Sequence, residues 1–384
     1  MADFGFTEAH EILRNEIRSF ARKELAPEAK KRAKLNHIPR DVAKKVAALG
    51  LTGMNLPAEY GGQQADWVSL GVATEELAKV DMAASILPMC SIVPCLMLMD
   101  GPLALQKELI PKIIKYDKIV CFGLTEPGCG SDALAIQTKA VRDGDYYIIN
   151  GEKTSITRAT QAEAILVIAK TDPKAGAKGI TCFYVPYDLP GVSTSRFEDT
   201  GWKPFERGSV TFDNVRVPVE YRVGDEGRAF YNTMNKFDWT RSMLGLQALG
   251  AAQASLDEAI AYARERVAFG QPIAKFEGVS FKLSHDATLI TAARLLAYKA
   301  LWLRDHGLPH TKEAAMTKYW CPEVALRVIH DCLLTHGHNG FSEELPFEQR
   351  LRDVIGHEMG DGSAEVQKTI ITRELFGKEY VAYS

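Results

Sequence analysis

The feature that most constrains the fold is a change of pattern near Ile119, where helical periodicity gives way to short β-branched and aromatic segments. These segments continue to about residue 218 and have the composition of β-strands. The strand candidates are residues 146–149, 164–169, 181–185 and 209–212. The runs Arg142-Asp143-Gly144-Asp145 and Asn150-Gly151 predict hairpin turns between strands. The middle of the chain is therefore predicted to be an all-β insert.

Both flanks of this insert have the pattern of helices. Before it, residues 67–80 and 103–116 show helical apolar spacing, and after it Leu244 and Leu256 belong to a long apolar face. The predicted fold is α+β, in the order helices, β-sheet, helices. The predicted domains are an N-terminal helical domain (1–118), a small β-barrel or sheet domain (119–228) and a C-terminal four-helix bundle (229–384).

Composition and local patterns exclude several classes of protein. The formal net charge is −3 and no basic stripe is present, which argues against nucleic-acid binding. Residues 82–99 carry no charge, but they contain Pro88 and Pro94 and are barely long enough to span a bilayer, so a buried helix or helix pair is favoured. The run Met1-Ala2-Asp3-Phe4-Gly5 does not resemble a signal peptide.

The cysteines and histidines give two further expectations. Seven cysteines, an odd number scattered along the chain, indicate a reducing cytoplasm rather than a disulfide framework. His330, His336 and His338 lie close in sequence, but no acid or cysteine completes a ligand set at usable spacing. We therefore expect no metal site.

Two stretches carry candidate chemistry. In residues 121–132, Gly128 and Gly130 allow close approach to a flat or phosphorylated ligand, although an ordinary glycine-rich connection would look the same. In Met359-Gly360-Asp361-Gly362-Ser363-Ala364-Glu365, a turn opens a helix. Asp361 could face a pocket there as a catalytic base, or Asp361 or Ser363 could only cap the helix.

The run Thr125-Glu126-Pro127-Gly128-Cys129-Gly130-Ser131-Asp132 resembles the signature of the acyl-CoA dehydrogenases. These are FAD enzymes that oxidise acyl-CoA thioesters between the α and β carbons. The resemblance extends over essentially the whole chain and implies the same helical, β, helical order of domains. Further runs that match the family in order are residues 56–62, 149–153, 212–218, 266–273 and 351–353.

The resemblance implies an FAD site. The loop 122–131 would lie along the flavin ring, and Arg266 would bind the FAD pyrophosphate from the neighbouring subunit. Such sharing implies at least a dimer, and the family usually forms homotetramers, as dimers of dimers. The residues implied for the cofactor are Phe122, Leu124, Thr125, Ser131, Ser155, Thr157, Arg266, Gly337, Ser363 and Glu365.

The resemblance also implies the reaction. Asp361 takes the place of the usual catalytic Glu, which removes the α-proton as a hydride leaves the β-carbon for flavin N5. Some relatives carry their base where this chain has Thr240, so that alternative is absent. Electrons would pass to an electron-transferring flavoprotein or a similar acceptor. The residues implied for the acyl-CoA are Ser91, Ser131, Asp238, Arg241, Gly360 and Gly362, although Asp238 and Arg241 could form only a helix pair.

Departures from the family pattern suggest an unusual acyl group. Asp361 is shorter than Glu by about 1.5 Å. Gly360 replaces a Tyr, and Ser155 replaces a Trp. The room that they leave suits a saturated ring, so the expected reaction is the oxidation of cyclohexane-1-carboxyl-CoA to cyclohex-1-ene-1-carboxyl-CoA, as in relatives whose base is Asp. The alternatives are a short branched-chain acyl-CoA dehydrogenase and a non-catalytic flavin- and CoA-binding protein of electron transfer.

Three further departures fall at the FAD end of the predicted site. Glu277 and Leu334 each replace a Gln of the family, and His338 replaces a Gly. An acid beside the FAD pyrophosphate is unfavourable unless it points to the ribose or the adenine. The resemblance therefore implies FAD binding by these segments less strongly than by the loop 122–131.

Overall fold

The computed structural model describes residues 5–382, so residues 1–4 of the run examined for a signal peptide lie outside it. The N-terminal part is helical because apolar residues at helical spacing pack on one another around a shared core. Its helices are α1 (Glu8–Phe20), α2 (Ala29–Arg32), α3 (Arg40–Ala48), α4 (Trp67–Ala78), α5 (Met82–Ser85), α6 (Leu87–Leu98) and α7 (Leu103–Ile114).

The uncharged segment 82–99 forms the helix pair α5 and α6, as predicted. Pro88 lies in the first turn of α6, where its missing N–H costs nothing, and most of both helices is buried. Asp81 caps α5 by accepting a hydrogen bond from the N–H of Ala84 at 3.0 Å. Across residues 5–382, every helix is too short or too polar to cross a membrane.

The middle part is one eight-stranded sheet. Its spatial order is β6-β7-β3-β2-β4-β5-β8, and β1 pairs in parallel with β4. Strands β4 and β5 are buried along almost their whole length, which explains their unbroken apolar sequences. The strands are β1 (Val120–Gly123), β2 (Lys139–Asp143), β3 (Tyr146–Thr157), β4 (Ala164–Lys170), β5 (Ile180–Pro186), β6 (Val192–Arg196), β7 (Arg207–Pro218) and β8 (Arg222–Val223).

One of the two predicted hairpin turns is wrong. Asp143 pairs with Tyr146 across the turn between β2 and β3, as expected. Strand β3, however, runs straight through Asn150-Gly151. Its register against β7 shifts there, and Gly151 has φ +145°, so this dipeptide forms a bulge within a long strand. Pairing on both sides of β3 overrides the local turn preference.

The C-terminal part is a helical bundle. It confirms the predicted order of helices, sheet and helices. Helix α4 also packs against it: a Cβ at Gly71 would lie 2.7 Å from Leu301 and 2.9 Å from Leu246, so glycine permits this approach. The elements are α8 (Ala229–Lys236), α9 (Asp238–Glu265), the short pair β9 (Val267–Ala268) and β10 (Gln271–Pro272), α10 (Glu277–Asp305), α11 (Thr311–Thr335), α12 (Phe347–Met359) and α13 (Ala364–Phe376).

The bundle contains a destabilising carboxylate. Asp286 on α10 is fully buried, and neither of its carboxylate oxygens has a hydrogen-bond partner among the described residues. Burial and the negative charge of Asp331 raise the pKa of Asp286 to about 6, while Arg327 and Lys282 oppose the shift. The folded state therefore disfavours the ionised form, and this cost is present above pH 6 and disappears as the pH falls towards 4.

We expect Asp286→Asn to raise the free energy of unfolding by about 1–3 kcal/mol at pH 8 and by much less at pH 4, close to the pKa of the unfolded chain. Urea unfolding at several pH values measures the difference. Asp143→Asn removes a charge from an exposed strand end and serves as the control. A gain in stability that did not depend on pH would contradict the assignment.

Candidate active site

The turn between α12 and α13 presents Asp361. Helix α12 ends at Met359, and the N–H of Gly360 still donates to the carbonyl of Gly356 at 3.0 Å. Asp361 then adopts φ +55°, which is uncommon for a residue other than glycine, and Gly362 follows at φ +95°. The Asp361 side chain is exposed. Ser363 occupies the N-cap position of α13, although its side chain makes no capping hydrogen bond within the described chain.

Two buried donors hold the inner side of this turn. Lys318 Nζ on α11 lies 2.5 Å from the carbonyl oxygen of His357 and 3.2 Å from that of Gly362. Gln367 Nε2 on α13 donates to the carbonyl oxygens of Asp361 and Gly362, both at 3.2 Å. The carbonyls of the turn are thus bound by buried side chains, while the Asp361 side chain itself is exposed.

Three other elements bring charge or polarisable groups near Asp361. Its negative charge acts on the thiol of Cys90 in α6, on Arg241 in α9 and on Lys318. Burial raises the pKa of Cys90, and the cation of Arg158 opposes that effect. The predicted substrate residue Ser91 is buried, whereas its neighbour Cys90 is only partly so.

Asp238 and Arg241 form the expected helix pair, with Arg241 Nη1 at 2.5 Å from Asp238 Oδ1. The second oxygen of Asp238 accepts a hydrogen bond from Thr311 Oγ1 at 2.6 Å. Burial lowers the pKa of Arg241, and its Nε is buried without a hydrogen-bond partner among the described residues. Arg241 of this pair also lies close enough to Asp361 for their charges to interact.

A buried ion pair fixes the loop after β1. Lys153 Nζ lies 2.6 Å from Glu126 Oε1 and 3.0 Å from the carbonyl oxygen of Leu124. Glu126 also accepts hydrogen bonds from the N–H groups of Gln137 and Thr138. The charge of Lys153 and these donors hold the pKa of Glu126 below its usual value, although burial opposes this. This arrangement gives the loop a rigid base.

The end of β3 lies beside this loop. The N–H of Thr154 donates to the carbonyl of Thr125 at 2.9 Å, which brings the predicted residues Ser155 and Thr157 next to Thr125. Ser155 has φ +57°, and its hydroxyl accepts a hydrogen bond from Arg207 at 3.2 Å. The exposed guanidinium of Arg207 therefore lies against the residue where relatives have Trp.

Five of the residues predicted for the flavin lie on these elements. Phe122, Leu124, Thr125, Ser155 and Thr157 are all half-buried, so they offer apolar surface and hydroxyl groups along one face, the candidate flavin cleft. A Cβ at Gly128 or Gly130 would meet no described atom within 4 Å, so the loop is open towards the ligand side. Phe122 contacts Phe237 edge to face at 5.8 Å, which ties the cleft to the start of α9.

The other residues predicted for the cofactor are not part of this cleft's interior. Ser131 and Glu365 are exposed, and Arg266 is exposed where α9 ends. Gly337, with φ +60°, is exposed after α11 together with His338. His336 is instead buried, stacks on Tyr262 at 4.3 Å and hydrogen-bonds the carbonyl of Cys332 through Nδ1, so it serves packing.

Sequence reasoning missed the residues behind the turn that carries Asp361. Lys318 and Gln367 are isolated polar positions on otherwise apolar helix faces, and that pattern was the available signal. His357 is buried, stacks on Trp202 at 4.8 Å and bonds Gln247 at 3.1 Å. Burial and the nearby Lys318 lower the pKa of His357 to about 3, so it is neutral in the folded protein.

Comparison with known proteins agrees with this geometry. Residues 7–117, 121–215 and 227–376 match the N-terminal, middle and C-terminal domains of acyl-CoA dehydrogenases. The mitochondrial short-chain specific acyl-CoA dehydrogenase of Bos taurus is 36% identical over 96% of this chain and 90% of its own length. Among solved structures, butyryl-CoA dehydrogenase from Megasphaera elsdenii has a TM-score of 0.92 and 33% identity, over 97% of this chain and 100% of that one.

A further solved chain comes from work on the electron transferring flavoprotein of Acidaminococcus fermentans. It has a TM-score of 0.93 and 33% identity, and the match covers 98% of this chain and 100% of that one. Three consecutive family domains therefore account for nearly the whole chain. The chain belongs to the acyl-CoA dehydrogenase family and is an FAD-dependent enzyme that dehydrogenates acyl-CoA thioesters.

Proposed function

We propose that the substrate is a compact acyl-CoA with a ring at the α-carbon, cyclohexane-1-carboxyl-CoA, and that Asp361 is the base that produces cyclohex-1-ene-1-carboxyl-CoA. The exposed carboxylate would take the α-proton. The N–H of Asp361 makes no hydrogen bond within residues 5–382, so it is available to the thioester oxygen. Bound FAD supplies the acceptor for the β-hydrogen and its electron pair. Phe122, Leu124, Thr125, Ser155 and Thr157 would hold the flavin ring.

The observation that carries the ring substrate is the space beside Gly360. This residue has φ −61° and ψ 148°, an extended conformation that any residue adopts, so its backbone does not require glycine. A Cβ there would meet only the carbonyl oxygen of Gly356, at a comfortable 3.5 Å. The missing side chain therefore leaves room rather than relieving a clash. Together with the short Asp361 side chain, this room suits a substrate that is wide at the α-carbon.

A short-chain acyl group is the second candidate. The relatives that the chain resembles over its whole length include a short-chain specific enzyme and a butyryl-CoA dehydrogenase. A short branched-chain substrate would also use the room beside Gly360. The two candidates differ in the width of the acyl group at the α-carbon, which the substrate itself can test.

We also propose a homotetramer, arranged as a dimer of dimers, that passes electrons to an electron-transferring flavoprotein. Arg266 is exposed, and three aromatic side chains of the C-terminal part are exposed to 96%, 65% and 76%: Phe269, Phe281 and Phe341. Apolar surface of this kind favours burial against a second copy.

The similarity to a chain from work on an electron transferring flavoprotein supports the acceptor. Seven unpaired thiols support a cytoplasmic location.

We expect kcat/KM for cyclohexane-1-carboxyl-CoA to exceed kcat/KM for butyryl-CoA and isobutyryl-CoA by about tenfold or more, measured with a dye acceptor.

Gly360→Tyr restores the family residue. It should lower kcat/KM for the ring substrate about tenfold or more and change kcat/KM for butyryl-CoA much less, because only the ring needs the space. Gly360→Ala is the graded control. Faster oxidation of butyryl-CoA or isobutyryl-CoA by the unaltered enzyme would refute the ring substrate.

A further inference from the structure

We propose that Lys318 is a positioning residue for the catalytic turn: its buried ammonium ties the end of α12 to the start of α13 and places a positive charge behind the Asp361 carboxylate. The inference rests on the proposed role of Asp361 as the base.

The contacts of Lys318 span the turn. Its Nζ donates to the carbonyl oxygen of His357 at 2.5 Å, within the last turn of α12, and to that of Gly362 at 3.2 Å, beyond Asp361. Only residues 358–361 lie between these two carbonyls. One side chain from a third helix, α11, therefore fixes both ends of the segment that carries the base.

The charge of Lys318 is not neutralised by a close partner. Its side chain is fully buried, and no carboxylate of the described residues lies within 4 Å of Nζ. A buried ammonium that has only carbonyl partners is costly to desolvate. Burial lowers the pKa of Lys318 to about 8, while the negative charge of Asp361 opposes that effect. At pH 7 the ammonium is still mainly protonated, so the turn sits on a positive charge.

The backbone of the turn needs such support. Asp361 holds φ +55°, and residues in sparsely populated conformations persist only where their surroundings fix them. Lys318 and Gln367 are the two side chains that bind the turn from behind, and they share the carbonyl of Gly362. Gln367 donates hydrogen bonds to the turn but carries no charge, whereas Lys318 donates hydrogen bonds and also carries a positive charge. Comparing variants of these two residues therefore distinguishes the effect of the hydrogen bonds from the effect of the charge.

Other charged or titratable groups also surround this pair, and they remain in place when Lys318 is changed. Arg241 adds positive charge from α9, and Glu358 adds negative charge from α12. Among the described residues, the groups whose charges act on Lys318, on Asp361 or on their direct neighbours are Cys90, Arg158, Asp238, Arg241, His357, Glu358 and Arg373.

The test compares Lys318→Met with Gln367→Met in the FAD-loaded enzyme. Flavin bleaching in a single turnover is followed from pH 5.5 to 9 with saturating acyl-CoA. Gln367→Met should lower the rate by a similar factor at every pH, because it only loosens the turn. Lys318→Met should lower the rate about tenfold or more at pH 7, where Lys318 is charged, and should not show the fall in rate that the unaltered enzyme undergoes as Lys318 loses its proton above about pH 8. KM should change little, since neither side chain contacts the substrate.

Lys318→Gln keeps a hydrogen-bond donor without the charge, and it replaces Lys318→Met if that variant does not fold. It should recover part of the rate at pH 7 but likewise lack the fall in rate above about pH 8. Wild-type pH profiles for the Lys318 variants would overturn the inference. Asp361→Asn distinguishes a failure of this inference from a failure of the proposed function. If acyl-CoA does not bleach the flavin of Asp361→Asn while the Lys318 variants behave as wild type, only the role of Lys318 is wrong. If Asp361→Asn bleaches normally, the base assignment fails first.

Discussion

Asp361→Asn is expected to give a folded, yellow protein whose flavin is bleached by acyl-CoA about 10²–10⁴ times more slowly than in the unaltered enzyme. The amide cannot accept the α-proton, yet it has the shape of the carboxylate. Asn also tolerates the left-handed conformation that Asp361 adopts at φ +55°, so the turn should be preserved. Stopped-flow bleaching measures the rate, and the visible absorbance of bound flavin confirms that the cofactor is retained.

Asp361→Glu is the matched control for this experiment. It keeps a base and lengthens it by one methylene, so it should remain active. Because the longer side chain fills space beside Gly360, we expect its activity to move from the ring substrate towards straight acyl chains. An Asp361→Asn enzyme that bleaches at the normal rate would show that another group removes the α-proton.

Lys153→Met is expected to destabilise the protein by about 3–5 kcal/mol and to release FAD. Lys153 is fully buried and Glu126 nearly so, and their charged atoms lie 2.6 Å apart. Removing the cation leaves Glu126 as a buried carboxylate with only the backbone donors of Gln137 and Thr138. It also removes the hydrogen bond to the carbonyl of Leu124, which holds the loop beside the flavin cleft.

The double variant Lys153→Met with Glu126→Gln separates these effects. The main cost of Lys153→Met is the unpaired buried charge of Glu126. In the double variant the side chain at position 126 is neutral, so we expect much of the lost stability to return. Lys139→Met, on an exposed position of β2, controls for the loss of a lysine in general. Urea unfolding and flavin release are the measurements. A double variant less stable than Lys153→Met would contradict the explanation.

Much of the flavin cleft was predictable because its residues lie close together in sequence. Leu124 and Thr125 belong to one loop, and glycines at 128 and 130 marked its opening. The contact between Thr125 and Thr154 joins this loop to Ser155 and Thr157, and that pairing required the sheet. The sequence identified the two segments separately, whereas their adjacency came from the packing of β1 beside β3 in the folded sheet.

The sequence by itself determined the order of helices, sheet and helices, the buried pair α5 and α6, and Asp361 as the candidate base. Those features follow from periodicity, charge and short motifs, which are local properties. Only the tertiary structure decided that β3 continues through Asn150-Gly151 and that Lys318 stands behind the turn of Asp361. Both depend on partners that are distant along the chain: pairing with β7 outweighs a local turn preference, and a buried lysine 43 positions before Asp361 meets the catalytic turn only when α11 packs against α12 and α13.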